Sequence, residues 1–249
     1  MNCSAEAPTT LDARGLQCPG PIMRLAKEME TLPAGKSVAI TATDPAFATD
    51  VASWCHSTGN KLLDVKLEDG AVHATVLKKH KPENAPITPA ANVGKNKTIV
   101  VFSGDFDRAM AAFIIANGAT TMGSRVTMFF TFWGLNVLRK GQKVAAPKNL
   151  IERMFGWMMP RGADKLGLSR MNMGGMGLRM IKGIMRKKNV ASLPQLIEAA
   201  RQSGVRLVAC SMSMDLMGIK RQELIDGVEE GGVAMYLDAA EAGNVNLFI

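Results

Sequence analysis

Residues 11–29 read LDARGLQCPGPIMRLAKEM, and the fold of the first third of the chain follows from how this stretch divides. Thr9–Ala13 (TTLDA) has the character of a short strand. From about Pro21 to Leu32 the apolar positions Ile22, Leu25, Met29 and Leu32 fall at helical spacing, and Pro33 stops the helix. Working outward, Ser37–Thr43 alternates as a strand. Ala46–Thr58 reads as a second helix closed at Gly59. Leu62–Leu67 and Val72–Leu77 form a hairpin across Asp69-Gly70, a strong turn dipeptide. The order is βαβαββ.

Between the first strand and the first helix lies QCPGP, Gln17–Pro21. A thiol at this junction sits where unpaired backbone N–H groups and the positive end of a helix converge. Both favour thiolate over thiol, and the thiolate is the nucleophile. Proline suits the first helical turn because its missing N–H has no partner there anyway. Cys18 is therefore expected to be a reactive cysteine with a depressed pKa. The alternative is a buried cysteine beside a helix-starting proline.

The organisation changes after residue 80. The expected division is a first domain over 1–80, a proline-bearing linker over 81–96 and a second domain over 97–249. Lys97–Ser103 and Arg125–Phe132 are continuous apolar strands of the kind buried on both faces of a parallel sheet. Asp105–Asn117 is a helix closed by Gly118, Pro194–Ser203 another helix, and Val205–Cys210 a third strand. Val233–Ala242 is a late helix before Val245–Phe248. Alternation of strand and helix indicates an α/β domain with a doubly wound parallel sheet. Cys210 ends its strand before SMSMDLMGI, at the carboxyl edge where ligands and reactive groups gather in such sheets. Ser211 and Ser213 are candidate caps for the helix that follows.

An insertion over 148–189 carries eight methionines, and Arg139–Lys188 holds thirteen basic residues against two acidic ones. This basic, methionine-rich segment admits several readings: a lid over Cys210, a docking surface for an acidic partner, a weak membrane-surface contact, or packing within an oligomer.

The first domain resembles the TusA-like (SirA-like) sulfur carriers, through LDARGLQCPGPIMRLAKEM, TATDPAFATDV and GNKLLDVKLEDG. The resemblance implies a two-layer βαβαββ sandwich, and a Cys18 that receives sulfane sulfur as a persulfide or thiosulfonate and passes it on. It places Asp44 at the acidic position of the family's second motif, where it caps the second helix. Residues 97–249 resemble the DsrE/DsrF-like sulfur-relay family, through KTIVVFSGDFDRAMAAFIIANGAT, FFTFWGL and VACSMSMDLMGI. That resemblance puts the sulfur-accepting cysteine at Cys210. Some relatives have a second cysteine shortly afterwards. Ser211–Gly218 contains none, which argues against an internal disulfide mechanism.

Composition bounds the alternatives. Four cysteines spread over 249 residues do not make a secreted disulfide scaffold, and no signal peptide opens the sequence, so a cytoplasmic protein is expected. The longest apolar run, Val126–Leu138, is too short to span a bilayer. The net charge of +8 is concentrated in the second domain rather than spread as a nucleic-acid footprint, so no nucleic-acid partner is expected. Cys55 reads as core and Cys3 has no assigned role. The histidines lack paired spacing, so no metal is expected, and GGMG (Gly174–Gly177) follows no strand and is no nucleotide loop. Phe129, Phe130, Phe132 and Trp133 read as core at a strand end.

The reading is a sulfur-trafficking protein that exchanges sulfane sulfur between Cys18 and Cys210 without cofactor. Its partners are sulfur donor and acceptor proteins, rhodanese-like or other sulfur-relay proteins, and it forms a homo-oligomer through the DsrE-like domain. Two other readings stay open: a persulfide- or redox-responsive regulatory or assembly module, and a peripheral membrane adaptor.

Overall fold

The computed structural model describes residues 7–44, 47–79 and 96–249. Cys3 and nearly all of the expected linker lie outside the described residues. The chain divides into two compact units, built mainly of residues 1–88 and 89–249.

The first unit contains β1 (Thr9–Asp12), α1 (Gly20–Thr31), β2 (Ser37–Ala42), α2 (Phe47–Thr58), β3 (Lys61–Glu68) and β4 (Ala71–Leu77). Its sheet has the order β1-β2-β4-β3, with β1 and β2 parallel and the other pairs antiparallel. This is the βαβαββ arrangement that the periodicity predicts. Ile22, Leu25 and Met29 of α1 and Phe47, Val51 and Trp54 of α2 pack on Val38, Ile40, Val72, Ala74 and Val76, forming one core between helices and sheet. Full burial of each such side chain contributes about 1.5–3 kcal/mol. The β3–β4 hairpin turns on Asp69 (φ 50°) and Gly70 (φ 72°), the positive-φ pair that a two-residue turn demands. At the end of α1, the Lys78 ammonium donates to the carbonyls of Met29, Glu30 and Leu32, which have no partner within the helix.

The second unit contains β5 (Asn96–Val101), α3 (Phe106–Thr121), β6 (Arg125–Phe130), α4 (Leu150–Met158), α5 (Met176–Lys187), α6 (Leu193–Gln202), β7 (Arg206–Cys210), α7 (Ser211–Met217), β8 (Val228–Gly231), α8 (Val233–Glu241) and β9 (Gly243–Phe248). Five parallel strands run in the order β8-β7-β6-β5-β9. β5, β6 and β7 are almost wholly buried, as continuous apolar runs require in a parallel sheet. The fold is thus α/β throughout, with a doubly wound parallel sheet in the second unit. Among the described residues, no helix is long and apolar enough to cross a membrane.

Three elements differ from expectation. The helix expected to close at Gly118 continues to Thr121, since the buried Asn117 amide donates to Phe113 O and across to Leu196 O and holds the chain helical past the glycine. β6 ends at Phe130 rather than Phe132, and a 3₁₀ segment over Phe132–Leu138 follows. There Gly134 donates to Phe102 O at 2.8 Å, so close to the end of β5 that a Cβ would meet Val101 O at 2.0 Å. The edge strand β8 (VEEG) was not foreseen, because its two central residues are exposed glutamates. The insertion over 148–189 contains α4 and α5. Asn149 and Glu152 form a reciprocal capping box at the start of α4.

Candidate functional site

Both cysteines singled out from the sequence lie at strand-to-helix junctions, and their surroundings are opposite in character. Cys18 is exposed. It follows the β1 loop and directly precedes Pro19, the residue that caps α1, through a cis peptide bond. Because β1 and β2 are parallel neighbours, the loops that follow them lie at the same edge of the sheet. The β2–α2 loop delivers Asp44, whose carboxylate accepts the Cys18 backbone N–H at 2.8 Å. Gly15 N–H is held in the same way by Thr43 Oγ1 at 2.8 Å. Residues 45–46 are outside the described residues, so the cap expected of Asp44 on α2 is not part of this picture. The expectation of a depressed thiol pKa is overturned. Partial burial, then the charges of Asp50 and Asp44, push the Cys18 thiol up from its ordinary value. Asp50 is itself pushed up by burial and by Asp44.

Cys210 is buried. It ends β7, opposite Gly231 of β8, and packs with Phe129 and Val208. Burial alone would raise its thiol. Hydrogen bonds from Ser213, through both hydroxyl and backbone N–H, from the Thr131 hydroxyl and from the Met212 N–H outweigh burial and push it down. Ser213 Oγ and Thr131 Oγ1 lie 2.7 Å apart, so the two hydroxyls also hold each other in place. Ser213 is fully buried and Cys210 itself stands at the N-cap of α7, so the expected caps Ser211 and Ser213 do other work. Ser211 Oγ reaches Gly231 O at 3.4 Å. With one of the two hydroxyls donating to the other, three donors remain to stabilise a sulfur anion at the carboxyl edge of the sheet. The sequence reading missed Thr131, which ends the chain's passage along β6. The adjacency of β6 and β7 brings it to Cys210.

The remaining expectations divide. Cys55 is buried in the first unit's core, and burial pushes its thiol to about 11. Phe129 and Phe130 are core, whereas Trp133 is half exposed. Among the described residues no group of His, Cys, Asp or Glu could hold a metal ion.

Comparisons with known proteins divide the chain at the same place. Residues 9–78 match the family described as sulfurtransferase TusA, and residues 94–248 match the DsrE/DsrF/DrsH-like family. An uncharacterised Bacillus subtilis protein, YrkE, is 59% identical over 155 residues, covering 62% of this chain and 97% of its own. The Allochromatium vinosum sulfur carrier protein DsrE2 is 37% identical over 161 residues, covering 62% of this chain and 98% of its own. In the first unit, the A. vinosum sulfur carrier protein TusA is 38% identical over 68 residues, covering 27% of this chain and 90% of its own. The chain belongs to the DsrE/DsrF/DrsH-like family, with a TusA domain joined ahead of it.

Proposed function

We propose that the protein is a cytoplasmic sulfur carrier in which Cys18 and Cys210 each alternate between thiolate and persulfide. The observation that carries this reading is the set of hydrogen-bond donors around Cys210, which favours an anionic sulfur where burial alone would keep it protonated. The names of the relatives, sulfur carriers for both parts of the chain, support the same chemistry. In the exchange, a thiolate attacks the outer sulfur of a persulfide. A new S–S bond forms, the old one breaks, and the first cysteine leaves as thiolate. One sulfane sulfur moves, with no net oxidation, so no cofactor is required.

The opposite shifts of the two thiols give the exchange a direction. The less basic thiol is the better leaving group, and the more basic thiol holds the sulfane sulfur more stably. Transfer from Cys210 to Cys18 is favoured, and Cys18, being exposed, presents the sulfur to an acceptor protein.

Intact mass measurement after incubation with polysulfide tests this on wild type and on the Cys18→Ser and Cys210→Ser variants. Wild type should gain one or two sulfur atoms, each single variant should lose one site, and the double variant should gain none. Unchanged loading in the double variant would overturn the proposal. Loading of Cys18 alone in wild type, with none in the Cys18→Ser variant, would remove Cys210 from the pathway.

A further inference from the structure

A second charged site lies in the DsrE-like unit among residues that the thiol chemistry does not use. Glu223 is buried and meets three cations: Arg139 Nη2 at 3.1 Å, Arg161 Nη1 at 3.2 Å, and the Lys148 ammonium. The Arg139 side chain is 0% exposed, Lys148 7% and Arg161 18%. One carboxylate thus faces three cationic groups inside the protein. Uncompensated buried charge is costly, and a planar guanidinium fork is suited to pairing with an oxyanion.

Two observations show where the missing negative charge belongs. The nitrogens converge: a Cβ placed on Gly156 would lie 3.4 Å from Lys148 Nζ, 3.6 Å from Arg161 Nη2 and 3.9 Å from Arg139 Nη2. Arg139 Nε, fully buried, has no acceptor among the described residues. Beside them is a cavity of about 340 Å³ whose wall includes Arg139, Arg161, Lys165 and Arg201. Two carboxylates also line it, Asp164 and Glu198, and Glu198 is taken up by Arg201 at 2.7 Å. The surplus on the wall is positive.

We infer that the cavity walled by Arg139 and Arg161 binds a small tetrahedral dianion. Sulfate, thiosulfate and phosphate share the chemistry that the site recognises: two negative charges and oxygens on several sides, matched to guanidinium donors. Lys148 lies two residues before α4 begins at Leu150, and Arg161 three residues after it ends at Met158. Arg161, which Glu223 also holds, is on the cavity wall, so an anion bound there is tied to the chain just beyond the end of α4. Binding therefore steadies the segment that presents the exposed methionines.

Calorimetric titration of the full chain with sodium sulfate, thiosulfate and phosphate, at constant ionic strength in chloride, tests the site. Saturable binding of one anion per chain is expected, with a dissociation constant of about 1 mM or tighter. Arg161→Gln should weaken it about tenfold or more, the loss of one charge-assisted pair. Arg161→Lys keeps the charge but not the fork and should weaken it severalfold, and it carries the test if the glutamine variant does not fold. Arg170→Gln, at an exposed position outside the cavity, and Cys210→Ser should bind as wild type, which separates this site from the sulfur chemistry. Hydrogen exchange over residues 150–158 should slow when sulfate is added. The order of affinities names the source: thiosulfate tightest points to a sulfur oxyanion, phosphate tightest to a phosphate. Heats that grow linearly and match chloride would overturn the inference. So would an Arg161→Gln variant that binds as wild type, or unchanged exchange over 150–158 at saturation.

Discussion

Partial burial, and after it the charges of Asp50 and Asp44, push the Cys18 thiol up against the effect of the helix start beside which it sits. Replacing Asp50 by Asn removes a repulsive charge and leaves the Asp44 contact to the Cys18 backbone intact. Iodoacetamide alkylation followed against pH reads the thiolate directly. In wild type the Cys18 midpoint should lie above the ordinary thiol value of 9.0 and that of Cys210 below it. Asp50→Asn should speed Cys18 alkylation at neutral pH about twofold to tenfold. Ser213→Ala, by deleting a donor, should slow Cys210 by a similar factor at neutral pH. Midpoints in the reverse order would reject the direction proposed for the transfer. The placement of both cysteines between a strand and a helix was legible in the sequence: Cys18 in the loop between β1 and α1, Cys210 at the end of β7 before α7. Their chemistry was not, because it depends on residues delivered by neighbouring strands: Asp44 from beyond β2, Thr131 from beyond β6. A motif displays its own helix start but not the loop that the next strand brings alongside.

Elements with a strong period were read to within a residue, as α1, β2, the Asp69-Gly70 hairpin and β7 were, or to within two, as β5 and β6 were. Those missed have other causes. β8 is an edge strand with exposed glutamates, and α4 declares itself through an Asn149–Glu152 capping box rather than through a polar face. One contact that no periodicity announces is the Lys78 ammonium at the end of α1, donating to carbonyls 46 to 49 residues earlier. Charge-assisted hydrogen bonds to orphan helix carbonyls are strong for a side chain at the surface. Lys78→Met keeps most of the aliphatic stem and deletes these bonds. It should destabilise the TusA-like unit by about 1–2 kcal/mol, read as a lower urea midpoint with unchanged slope. A midpoint equal to wild type would show that water replaces the ammonium at no cost.

At the scale of the whole molecule, the unusual property is how much apolar surface the basic segment leaves in solvent. Leu150, Trp157 and Met158 of α4 are 83%, 79% and 68% exposed, and Met171, Met176 and Met180 are also exposed. On a monomer, apolar patches of such extent mark a surface that another molecule covers. Of the eight methionines of the insertion, Met159 alone is buried. Which molecule covers them turns on charge. The chain carries +8, with thirteen cations between Arg139 and Lys188, so an acidic protein or anionic lipid is attracted by charge and released as salt rises. A second copy of the chain is repelled by the same charges, and salt screens that repulsion while apolar contact remains. We predict self-association through α4 that strengthens between about 0.05 and 0.5 M NaCl, measured as mass by light scattering after size exclusion. A Trp157→Lys/Met158→Lys variant should be monomeric at both salt concentrations, since it adds charge and deletes two exposed apolar side chains of α4. A wild-type protein that stays monomeric at high salt would reject a second copy as the covering surface. The salt dependence of its binding to acidic vesicles would then decide whether the charges, rather than the methionines, choose the partner.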